Sequence, residues 1–313
     1  MLLLAARPAS AEDYPLTGDT RVRFASLEQG QKLLGARDEF ALALSRFDRQ
    51  VRMQTDRDAS LEEWLEFNAG HAQAWSEVEI QRVTAALDDL RPRLANFKFQ
   101  LPETILLVRT TGKEEGDAAY TRQSAIMLPD KVMAYPKEQL EKLLIHELFH
   151  VVSRHDPALR QKLYAIIGFR PCDPIKLPAD WDNRRITNPD APKIDCYIEL
   201  KADGQTIVAA PFLFATPAKF DAQKGGSLFK YLTFKLLVVS RDGDRLAATL
   251  QEGKPVVIDP RSLEDFTQQI GKNTNYIVHP DEILADNFVL LLRGQKNVPT
   301  PRILEEMAKL LAK

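Results

Sequence analysis

The sequence predicts an α+β fold, on three observations. Apolar side chains recur at helical spacing over residues 27 to 95. Two extended runs and then a long helical pattern follow between 104 and 154. Residues 171 to 270 are rich in strand and turn signals. The organisation expected is a possible signal-peptide remnant at 1–11, an N-terminal helical region at 12–96, and a larger unit at 97–313. A β-rich segment at about 171–270 lies inside that last unit.

The chain opens "MLLLAARPASAEDYP". Leu2 to Ala6 is apolar, and Ala9-Ser10-Ala11 has the small-x-small pattern of a cleavage site. A basic leading region is missing, and the apolar core is shorter than the ~7 residues expected of a full signal. On this segment the protein is expected to be exported, periplasmic or extracellular, with the cytoplasm as the alternative. Leu27, Leu33, Leu34, Phe40, Leu44, Phe47 and Val51 then follow a helical period. In "DASLEEW" Ser60 caps a second helical run, with Glu63 three residues on. Pro92 is expected to end the helical region. His71 stands alone here, without the partners a metal requires.

"TILLVRT" (Thr104 to Thr110) is a strand signal, and "AAYTRQSAIMLP" (Ala118 to Pro129) reads as a second extended segment. From Pro136, the positions Leu140, Leu143, Leu144, Leu148, Val151 and Val152 follow a helical period to about Arg154. Another helix runs from Pro157 to Gly168. Two paired β-type runs then turn at Asp203-Gly204 and at Asp242-Gly243. Helices starting at Pro280 and Pro301 close the chain.

Composition narrows the function. With 42 basic against 44 acidic side chains the net charge is −2, which gives no reason to expect nucleic acid or an anionic membrane as partner. No apolar run approaches the roughly 18 residues of a transmembrane segment. Cys172 and Cys196 would close a loop as a disulfide in an exported protein, and stand as two buried thiols in the cytosol.

The chemistry concentrates in "KLLIHELFHVVSRHD", Lys142 to Asp156. His146 and His150 are four apart, so a helix presents both imidazoles on one face, at the spacing for two corners of a zinc tetrahedron. Glu147 is adjacent and can reach a water in an open position. Leu144, Leu148 and Val151 would anchor the opposite face. A third ligand is needed. His155 points about 140° away around the helix from His150. The metzincin pattern would require Gly at 153 and His at 156, where this chain has Ser153 and Asp156. Downstream, "HPDEILADNF" starts a helix at Pro280 that carries Glu282 and Asp286 four apart.

These two helices resemble those of the gluzincin metallopeptidases, the thermolysin-like clan, over Ala118 to Arg154 and Tyr276 to Leu292. The resemblance implies a zincin-like core in which residues 171–270 form an insertion, since the stretch from His150 to Glu282 is much longer than in that clan. It implies Zn²⁺ as cofactor, Glu282 as third ligand and Asp286 as acceptor from a ligating histidine. It places the segment before the motif helix as an edge strand, with Ala119, Tyr120 and Thr121 offering unpaired N–H and C=O groups to an extended peptide. An ordinary sheet strand has the same groups. A Tyr or His in that clan stabilises the oxyanion, for which Tyr276 is the first choice and His279 the second.

The activity expected is zinc-dependent hydrolysis of peptide bonds in a peptide or protein substrate, with Glu147 as general base. The alternatives are a non-catalytic metal-binding or regulatory protein, favoured if residues 27–95 covered the cleft, and a non-peptide amide hydrolase.

Overall fold

The computed structural model describes residues 13–202, 204–243 and 245–312. The segment read as a signal-peptide remnant, 1–11, lies outside them. The fold is α+β, as the periodicities predict, and it is built around two sheets.

The first sheet has the order Tyr14–Thr17, Thr20–Phe24, Thr104–Thr110, Ala125–Pro129, Tyr120–Arg122, with Ala72–Gln73 also paired to Thr104–Thr110. Its centre is parallel and its two ends are antiparallel. Alternation along the strands assigns each face. Val22, Phe24, Ile105, Leu107, Ile126 and Leu128 share one core with Leu87 and Leu90 of the helix Glu77–Leu94, and with Leu144 and Leu148 of the helix Lys137–His155. Val108, Ala125 and Met127 face the other way, onto Leu34 of the helix Leu27–Leu34. Both faces are therefore covered. Each fully buried Leu or Ile contributes roughly 1.5–3 kcal/mol by leaving water.

Three expectations are corrected here. The N-terminal region is not helical throughout: Tyr14–Thr17 and Thr20–Phe24 are strands of the first sheet. The sequence shows why, since "TRVRF" alternates polar arginines with Thr20, Val22 and Phe24, which are the buried positions. A boundary at 96 thus falls between strands of one sheet. Pro92 does not stop the helix, which continues to Leu94. It lies in the last turn, where few residues remain to lose their geometry. "AAYTRQSAIMLP" is not one extended run but the hairpin Tyr120–Arg122 and Ala125–Pro129, reversed at Gln123, whose φ is +53°.

Other local signals act as read. Ser60 accepts from the backbone N–H of Glu63, and the Glu63 carboxylate accepts from the N–H of Ser60. Gly168, at φ +81°, follows the helix Pro157–Ile166, and a Cβ there would meet the Gln269 side chain at 1.9 Å.

The second sheet is antiparallel, in the order Arg245–Ala248, Leu232–Asp242, Gln205–Ala215, Cys196–Ala202, Phe169–Pro171. It comes from the chain between the helices Lys137–His155 and Pro280–Leu292. Those two helices pack side by side, with the Phe149 and Phe288 ring centroids 5.5 Å apart and Ile283, Leu284 and Ala285 fully buried. A buried ion triad ties the N-terminal helices to the loop before the edge strand. Arg52 bonds Asp48 at 2.6 Å and Glu115 at 2.5 Å. Among the described residues, no helix is long and apolar enough to cross a membrane.

Candidate functional site

The helix Lys137–His155 crosses beneath the edge strand Tyr120–Arg122, and the first turns of Pro280–Leu292 run beside it. His146, His150 and Glu282 meet there. One ligand atom from each lies within 4.8 Å of the others. Glu282 Oε2 is 3.1 Å from His146 Nε2 and 3.5 Å from His150 Nε2. The other oxygen of Glu282 accepts from Asn188 Nδ2 at 2.6 Å.

Each imidazole is held from behind by an acid of the facing helix. His146 Nδ1 is 3.0 Å from Asp286 Oδ1, and His150 Nδ1 is 2.7 Å from Asp281 Oδ2. Asp281 is in turn fixed by Ser153 Oγ at 2.5 Å and Tyr164 OH at 2.9 Å, and Thr274 donates its hydroxyl to Asp286. With a metal bound, a proton on each Nδ1, donated to its carboxylate, would leave both Nε2 lone pairs free for coordination. His150 Nε2 is buried without a hydrogen-bond partner. A buried polar atom left unsatisfied is costly, and a cation shared with His146 and Glu282 would satisfy it. Two neutral imidazoles and a carboxylate are also the donor set of a three-ligand zinc site. These residues therefore fit a metal ion.

The electrostatics report the same convergence. Burial alone would lower the pKa of His146, but the Asp286 and Glu282 carboxylates outweigh it and raise it to about 10. Burial opposes charge on His150 too, and Asp190, Glu282 and Asp281 carry its pKa well above the ordinary value. For Glu282, burial would favour the neutral acid, and the two imidazoles instead hold it well below the carboxylate range.

Glu147 is buried at 2% exposure and borders the cleft beside His146 and Glu282. Its Oε2 accepts from Thr121 Oγ1 at 2.8 Å. Burial raises its pKa, a tendency that His150 and His146 oppose. Asp190, on the segment between the strands Phe169–Pro171 and Cys196–Ala202, stands close by: ligand atoms of Glu147, His150 and Asp190 lie within 4.8 Å of one another. The cleft has a volume of about 480 Å³, and Ala119, His146, Glu147, Tyr276 and Glu282 are among its walls.

Tyr276 lies on the cleft wall and is 44% exposed. The Glu282 carboxylate first, then burial, then Asp190 raise its pKa, so the hydroxyl keeps its proton. His279 is not on this face. It caps the helix, accepting at Nδ1 from the Asp281 N–H at 3.2 Å, and turns Nε2 to Cys196 Sγ at 3.6 Å. The expected peptide-pairing groups are also not all free. The Thr121 N–H already donates to Asp190 Oδ1 at 2.7 Å, and the Tyr120 side chain is buried behind the strand.

A second grouping, Asp195, Cys196 and His279, also brings ligand atoms within 4.8 Å. It does not suit a metal, because the Nδ1 of His279 is already an acceptor and the proton on Nε2 faces the sulfur. Cys172 and Cys196 are both free thiols.

Sequence reasoning missed Asp281, Asn188 and Asp190. Asp281 had a local signal, an acid beside Glu282 in the first turn of the same helix. Asn188 and Asp190 sit in the turn-rich "TNPDAP", and nothing local ties that segment to the histidines. Compared with protein-family models, with curated proteins and with solved structures, the chain matches none.

Proposed function

We infer that this chain is a zinc-dependent peptidase of gluzincin type, with His146, His150 and Glu282 as metal ligands. One observation carries the reading. Three ligand atoms converge beside an open cleft, and an acid behind each histidine sets its tautomer for coordination. Bound zinc would supply Lewis acidity, enough to bring the pKa of an attacking water down to about 7.

The chain's own residues account for the remaining steps. Glu147, buried beside the ligands and oriented by Thr121, takes the proton of the attacking water and delivers it to the leaving amine. Tyr276, protonated and on the cleft wall, donates its hydroxyl to the charge that develops on the carbonyl oxygen. Asn188 and the edge strand hold Glu282 and Glu147 in place.

None of the cleft-lining residues comes from 27–95, which supports turnover over a permanently covered, non-catalytic site. The test is Glu147→Gln in the zinc-loaded protein. The proposal expects zinc retained and peptide hydrolysis lowered by at least ~10³-fold, in the range of an essential proton-transfer group. A fully active variant would overturn the role of Glu147.

A further inference from the structure

Main-chain groups alternate in direction along an extended chain, so those of Ala119, just before the edge strand, and of Thr121 within it share one side. Ala119 borders the open volume. Thr121 does not, since its N–H donates to Asp190 Oδ1 at 2.7 Å and its carbonyl accepts from Arg154 Nη1 at 3.4 Å. Arg154 also donates to the carbonyls of Gln123 at 3.1 Å, Pro189 at 3.3 Å and Asp190 at 2.9 Å. The segment Pro189–Asp190 is thereby clamped across the edge strand. An extended chain can lie along Ala119 but cannot run on past Thr121, so the cleft is closed at one end.

The chemistry of the closed end selects what stops there. The hydrogen bonds of Arg154 all go to backbone carbonyls, and Asp190 accepts from a backbone N–H, which leaves its carboxylate without a salt bridge among the described residues, with His150 and Arg154 as the positive charges near it. Glu147 is beside it. A terminal carboxylate would be repelled there, and a terminal ammonium would be held by a charge-assisted hydrogen bond. The reach is right. The ammonium nitrogen of a peptide lies about 2.5 Å from its own first carbonyl carbon, by standard backbone geometry. The ligand atoms of Asp190, His150 and Glu147 lie within 4.8 Å of one another. An ammonium on Asp190 therefore brings the first peptide carbonyl to His150 and Glu147.

We propose that the cleft takes a polypeptide by its free amino terminus, with Asp190 as the amine-binding group, and removes single residues from that end. The inference rests on the peptidase reading above. In the step, the first peptide bond breaks. Water gives its OH to the carboxyl of the released amino acid and its remaining hydrogen to the new amino terminus.

The experiment compares one unstructured peptide in three forms, with free ends, with an acetylated amino terminus, and with an amidated carboxyl terminus, on zinc-loaded wild type and Asp190→Asn. Calorimetric binding of leucinamide and N-acetyl-leucinamide runs alongside. The expected result is stepwise release from the amino end, blocked by acetylation and indifferent to amidation. Asp190→Asn, which keeps an oxygen for the Thr121 N–H, should raise KM and weaken leucinamide binding at least ~10-fold, the loss of a hydrogen bond to charge. Internal cleavage of the acetylated peptide at an unchanged rate would overturn the inference and leave the peptidase reading standing. Equal binding of the two amides would also overturn it. No hydrolysis of any form, with leucinamide still bound through Asp190, would sink the peptidase reading and keep the amine site. Activity gained in Asp190→Asn would show that Asp190 plugs the cleft instead.

Discussion

The Asp281 carboxylate lies 2.7 Å from Nδ1 of His150 and takes two further hydrogen bonds, from Ser153 and Tyr164. A carboxylate so fixed can adopt only one orientation, and it confers that orientation on the imidazole. His150 is thus presented with Nε2 toward Glu282 before any ion arrives.

Asp281→Asn keeps the shape and removes the charge that favours the coordinating tautomer. Zinc affinity should fall about 10- to 100-fold, the usual loss for a group behind a metal-binding histidine. Competition against a chelator of known affinity measures it. Unchanged affinity would mean that the histidine is oriented by packing alone.

Zinc loading should expel protons. Acids beside His146 hold its pKa at about 10, and those beside His150 raise it well above the ordinary value, so both rings are protonated near neutral pH in the free chain. Coordination needs both Nε2 atoms bare, so affinity should rise with pH until His146 gives up its proton near 10. Calorimetry in buffers of different ionisation enthalpy counts the protons. An enthalpy independent of buffer would contradict this account.

How much of this was legible in the sequence depends on the range of each interaction. The helix spacing of His146 and His150 and the pairing of Glu282 with Asp286 are local properties, and they were readable. The turns at Gly204 and Gly243 announced two hairpins, and both glycines have positive φ. The strand Thr20–Phe24 was also locally encoded, but its five residues were overshadowed by the long helical run that follows. Asn188 and Asp190 reach the site only through the packing of a turn-rich segment against the edge strand, a tertiary fact without a local pattern. His279 was misplaced for a related reason. Position in the chain put it near Glu282, but its role as a helix cap aims it at Cys196.

Glu114 gives a prediction about stability away from the candidate metal site. It is 1% exposed, and burial pushes its pKa from 4.5 up to about 7. Below pH 4.5 both folded and unfolded chains hold the proton. As pH rises toward 7 the unfolded chain releases it first, so this contribution to stability is lost, about 1.4 kcal/mol per unit and about 3 kcal/mol in all. Glu114→Gln should match wild type at pH 4 and exceed it by up to about 3 kcal/mol at pH 8. Urea titrations at the two pH values decide. A constant difference at both would show that the carboxyl does not titrate in this window.

The most direct measurement is zinc per chain, for wild type beside Glu282→Ala, after zinc-replete preparation and removal of loosely held metal. The account predicts about one zinc in wild type and a large loss in the variant, with the helices intact by circular dichroism. Full zinc in Glu282→Ala, or none in wild type, would contradict the assignment of His146, His150 and Glu282 as one metal site.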